Sequence, residues 1–126
     1  MRARLAGLVL AILTISAVPT WIGTPYEILS CSQYVAKQSG RPHLWANKLW
    51  TVPAGYELRG QFANFGEMTI APAEGDIAAF HGVHVAIFHS GVWMDSDPKH
   101  SGVGRMNYNP ADPWFTGQVR IIRYRR

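Results

Sequence analysis

The chain has 126 residues, 48% of them hydrophobic and 16% charged, with 12 glycines and 8 prolines spread along its length, a globular composition for one domain with a modest core. Its net charge of +4 is too diffuse to indicate a nucleic-acid partner, and suits instead an anionic polymer or a membrane face. A single cysteine, Cys31, excludes an internal disulfide.

Residues 1–23, "MRARLAGLVLAILTISAVPTWIG", begin with two cations, Arg2 and Arg4, followed by an uncharged apolar run from Leu5 to Val18. That pattern predicts a signal peptide, with Ala17 at its cleavage site, or a membrane anchor that continues through Gly23. Either places the rest of the chain outside the cytoplasm, secreted or periplasmic, with membrane association only through residues 1–23. One domain, residues 24–126, follows, with neither internal repeat nor low-complexity linker.

The first predicted element is a helix ending near Gly40. It has two candidate starts. Thr24, Pro25 and Glu27 make a capping box with proline at the first helical position, which would put Cys31 almost two turns inside the helix. Ser30 is a second N-cap, which would put Cys31 in the first turn, at the positive end of the helix dipole. "HLWANKLW" predicts a short second helix stopped by Pro53, and Trp45, Trp50 and Trp93 are expected in the core. Residues 54–75 read as an irregular loop with a strand at "MTI"; Tyr56, Phe62 and Phe65 in it either pack or line a substrate. Short strands come next: "DIAAF", a tight turn at His81-Gly82, "VHVAIFH", a turn at Ser90-Gly91, "VWMDS", and finally "GQVRIIRY", whose basic end reads as a solvated edge strand. Helices first and strands after predict an α+β fold, the N-terminal helices packed on one side of an antiparallel sheet.

A lone thiol outside the cytoplasm suggests a reactive group or an intermolecular bridge. A free thiol titrates near pH 8.5; a helix N-terminus and a neighbouring histidine both favour its thiolate, and the histidine serves as base and then acid. Among His43, His81, His84, His89 and His100, His84 is best placed. It opens a β-rich run whose alternation puts His84, Ala86 and Phe88 on one face. Across the Ser90-Gly91 turn, Asp95 comes near the level of His84 and can orient the imidazole, with Asp97 as the alternative.

In order and spacing, "SCSQYVAKQSG" followed by "APAEGDIAAFHGVHVAIFHSGVWMDSDPKHSGVG" resembles the NlpC/P60 and CHAP group of papain-like peptidoglycan amidases and endopeptidases, and is similar to type VI secretion amidase effectors. Cys31 and Ser32 match the cysteine segment with Tyr34 near its aromatic position. Gly75 and Asp76 match a turn, His84 and Val85 the histidine segment, Asp95 the third polar position, and Gly102 and Val103 a later turn. Ser30 and Gln33 replace the acid and glycine usual around the cysteine, and an aspartate stands where NlpC/P60 proteins usually carry histidine. The resemblance implies a papain-like fold and a cysteine hydrolase that cuts an amide bond in peptidoglycan stem peptides with Cys31, His84 and Asp95. It also implies substrate contacts from Ser32 and Tyr56, no cofactor, an inhibitor or immunity protein as a partner class, and a monomer. The histidine spacing opposes zinc, since separations of three and five residues on strands point to opposite faces. The reading in a different class is an inactive relative that binds wall fragments or a partner protein.

Overall fold

The computed structural model describes residues 30–97 and 102–125. The leader, residues 1–23, and the alternative helix start at Thr24 lie outside the described residues. Among the described residues no helix is long and apolar enough to cross a membrane.

Helix α1 (Cys31–Ser39) starts on Ser30, whose backbone is extended and whose hydroxyl accepts the Gln33 N–H, while the Gln33 side chain accepts the Ser30 N–H at 2.8 Å. This reciprocal box satisfies two donors that a helix start leaves free, and so fixes the boundary. Gly40 ends the helix in the left-handed region at φ 72°. Helix α2 (Ala46–Trp50) has five residues and no side-chain cap.

The rest is mainly sheet. Strands β1 (Tyr56–Phe62), β2 (Ile77–Phe80), β3 (His84–His89), β4 (Val92–Asp97), β5 (Gly102–Arg105) and β6 (Val119–Tyr124) form one sheet in the order β1-β6-β2-β3-β4-β5, every neighbouring pair antiparallel. The α+β, papain-like architecture expected from the sequence is therefore incorrect. The described residues form an all-β-like, six-stranded antiparallel fold carrying two short α-helices.

The local differences explain that outcome. The segment read as an irregular loop supplies β1, whereas "MTI" forms no strand. Gly102 and Val103, read as a turn, open β5. The basic strand β6 is not at the edge: it lies between β1 and β2. Its burial on both neighbours' sides suits Val119, Ile121 and Ile122, all without exposure.

Both hairpin turns form where the sequence places them. His81 and Gly82 (φ 50° and 79°) and Ser90 and Gly91 (φ 53° and 83°) take the paired positive-φ conformation that matches the twist of the adjoining strands. The second turn sets the register His89↔Val92, Phe88↔Trp93 and Ile87↔Met94.

The sheet is covered on both faces. On one side Tyr34, Val35 and Leu49 of the helices pack on Val85, Ile87, Met94 and Ile122. On the other, Phe115, Phe65, Tyr108 and Trp114 from the connections pack on Ala78, Phe80, Ala86 and Ile121. Trp45, expected in the core, is 59% exposed. A bulge in β1 leaves Arg59 unmatched between Leu58 and Gly60, and its guanidinium donates to Asp76. Asp76 is fully buried; it also accepts from the Ala73 N–H at 2.8 Å and from Arg123 Nε at 3.2 Å. The Gly75-Asp76 turn thus ties β1 and β6 to the start of β2.

Candidate active site

Ser30 as the N-cap decides the position of Cys31. The cysteine is the first residue of α1, partly exposed, and packs against the cluster beneath the helix. At the first two helical positions the N–H groups of Cys31 and Ser32 have no intrahelical carbonyl to bond, and the positive end of the helix dipole faces the sulfur.

His84 is the first residue of β3 and has no exposure. Its ring stacks on Trp114 (centroids 4.9 Å, 28°) and meets the edge of Phe115 at 5.3 Å. Nε2 lies 2.8 Å from Oδ2 of Asp95, also buried. Asp95 shares the sheet face of His84 by the parity of the Phe88↔Trp93 pair, and it rather than Asp97 holds the ring. Bonding at Nε2 fixes the tautomer: in the neutral ring Nε2–H donates to the carboxylate, and Nδ1 keeps its lone pair. Nδ1 has no hydrogen-bond partner among the described residues, although it is buried.

Burial alone would push the His84 pKa down. The Asp95 hydrogen bond, the hydrogen bond and negative charge of the Cys31 sulfur, and the Asp95 charge outweigh it, and raise the pKa from 6.5 to about 9. The Cys31 sulfur therefore acts on the imidazole at close range, while no hydrogen bond of ordinary geometry occupies Nδ1. Tyr34, one turn along α1, is held neutral: burial first, then the Asp95 charge, pushes its pKa up to about 12.

Cys31, His84 and Asp95, singled out from the sequence, are thus adjacent. Ser32 and Tyr56 are placed differently. Ser32 is buried, and its hydroxyl lies 3.0 Å from His43 Nε2 and 3.4 Å from the Ser30 hydroxyl, so it braces the first turn from beneath. Tyr56 is buried against Tyr124, ring edge to ring face at 5.2 Å. Among the described residues no hydrogen bond or ring contact links it to Cys31 or His84. Trp114 and Phe115, which form the walls of the His84 site, were not visible as site residues; their signal is an apolar pair inside the turn-rich run "NPADPWFTG".

A cavity of about 720 Å³ lies elsewhere, at the C-terminal end of α1, and none of Cys31, His84 or Asp95 lines it. Among the described residues no three His, Cys, Asp or Glu side chains come together as a metal site. Chemically, a partly exposed thiol at a helix start, a fixed imidazole with one free nitrogen, and a buried carboxylate behind it suit acyl transfer. Compared with known proteins, the chain matches no family, no curated protein and no solved structure.

Proposed function

We propose that the protein is a cysteine-dependent hydrolase that cuts an amide bond, with Cys31 as nucleophile, His84 as proton carrier and Asp95 as its orienter. The single observation that carries this reading is His84: one ring nitrogen is fixed on Asp95 at 2.8 Å, and the other is unpartnered beside the thiol at the start of α1.

The steps follow from these atoms. At neutral pH the raised His84 pKa holds the thiol's proton on Nδ1, so the pair rests as imidazolium and thiolate, and the sulfur attacks the amide carbonyl carbon. The oxyanion forms next to the free N–H groups of Cys31 and Ser32; one such donor is worth roughly 3–4 kcal/mol in comparable sites. The imidazolium, which the raised pKa keeps protonated at neutral pH, gives its proton to the departing amine as the C–N bond breaks. Neutral His84 then takes a proton from water as the hydroxide adds to the thioester, and the acid product leaves from the sulfur. Asp95 stays ionised and stabilises the imidazolium in each half-reaction.

The motif resemblance and the mildly basic surface support peptidoglycan stem peptides as the substrate, which the export-type leader would deliver to the right compartment. The test is digestion of purified peptidoglycan with wild type and Cys31→Ala, with products identified by mass. New amines and carboxylates should appear with wild type alone. Identical product spectra from both proteins would overturn the proposal. A second reading, a binding protein without turnover, is favoured by a cavity of about 720 Å³ whose lining does not include the thiol. Retention on peptidoglycan without any cleavage product would select it.

A further inference from the structure

The cavity of about 720 Å³ has a size usual for small-molecule sites and an unusual charge balance. Three arginines reach it. Arg123 is held on buried Asp76 through Nε at 3.2 Å. Arg41 and Arg125 make no ion pair among the described residues, and the Arg41 guanidinium lies over the Tyr124 ring, 3.8 Å from its centroid. That ring fixes the guanidinium without consuming its hydrogen-bond donors, which leaves a pre-oriented fork for an oxyanion. Two carboxylates also line the cavity. Glu74 is already engaged, 2.6 Å from His89 Nδ1 and accepting the Ser90 N–H at 2.9 Å. Glu57 has no ion pair among the described residues.

The unspent charges are thus two guanidiniums and one carboxylate, in a groove large enough for a few residues. We infer that this groove binds a short peptide by its free carboxylate, through Arg41 and Arg125, with Glu57 taking the ammonium end. Phosphate would satisfy the arginines but leave Glu57 against a like charge, so the peptide is the better match. The inference does not rest on the hydrolase reading. The groove lies about 12 Å along α1 from Cys31 at the rise of a helix, and needs no thiol.

The test uses the full chain carrying Cys31→Ala, which binds without turning over, in calorimetric titrations with trialanine, trialanine amide and inorganic phosphate. Trialanine should bind saturably, and its amide about tenfold or more weakly, the usual cost of losing one charge-assisted pair. Arg41→Gln with Arg125→Gln should weaken trialanine at least tenfold with an unchanged melting temperature, because neither side chain makes an ion pair among the described residues and Arg123 is left on Asp76. Equal affinity for acid and amide, no saturable trialanine binding, or phosphate binding without trialanine binding would each overturn the assignment. Failure here with Cys31-dependent wall digestion intact would leave the hydrolase proposal standing; binding here with no digestion would remove the hydrolase proposal alone.

Discussion

Asp95→Asn should remove a pH-dependent part of the folding energy, and the size of that part follows from His84. The imidazole has an ordinary pKa of 6.5 in the unfolded chain and about 9 in the folded one, so folding favours its protonated form. Below about pH 6.5 both states carry the proton, and the stabilisation is complete. As pH rises through about 9 the folded state loses the proton, and the stabilisation goes with it. A gap of that width is worth about 3 kcal/mol, with no discount for solvent because the ring is fully buried. In Asp95→Asn the burial penalty on the cation remains while the Asp95 hydrogen bond and charge are lost, so the window should shrink or change sign. Urea unfolding followed by tryptophan fluorescence at about pH 6 and about pH 10 reads the effect, and groups common to both proteins cancel in the comparison. Between the two pH values wild type should lose about 2–4 kcal/mol more than the variant. A difference below about 1 kcal/mol would refute the ion-pair account of His84.

In wall digestion, Cys31→Ser and His84→Ala should each abolish turnover, and the double variant should be no worse than either, since the two act as one unit; independent, multiplying losses would contradict that. The rate against pH should fall on its alkaline side near pH 9, where His84 loses the proton it gives to the leaving amine, and a profile flat to pH 10 would exclude that acid role. Asp76→Ala should cost about 3–5 kcal/mol in unfolding experiments, because it strands the Arg59 and Arg123 guanidiniums against a buried site; a loss under about 1 kcal/mol would show that the three-way tie is not structural.

How far the sequence could be read depended on where each signal is stored. The two hairpins were legible because a positive-φ pair at a turn is a local event, and "HG" and "SG" announce it. With the second turn placed, strand parity alone put His84 and Asp95 on one face. The cap at Ser30 was also local, which is why Cys31 was recognisable as a first-turn residue once that start was considered. Strand β1 was hidden: "YELRGQF" carries two charges and a glycine, and a bulge at Arg59 breaks its alternation. Its identity comes from pairing with β6, more than fifty residues away, which no local pattern encodes. The same pairing converts the basic C-terminal run from an edge into an interior strand, and turns an expected helix-on-sheet fold into a sheet with small helical additions. The orientation of Ser32 shows the remaining limit. One helical step of about 100° separates Cys31 from Ser32 and turns the hydroxyl inward to His43, a rotation that sequence adjacency does not reveal. Trp114 and Phe115 reach His84 only through the long connection from β5 to β6.

Whether His84 activates the thiol is open to direct measurement without any knowledge of the substrate. Purified wild type, His84→Gln and Asp95→Asn, each confirmed folded by its melting curve, are alkylated with iodoacetamide at neutral pH, and modification of Cys31 is followed by intact mass. An imidazolium beside the sulfur favours the reactive thiolate, so wild type should react about tenfold or more faster than His84→Gln, with Asp95→Asn in between. Equal rates in all three folded proteins would contradict the catalytic unit of Cys31, His84 and Asp95.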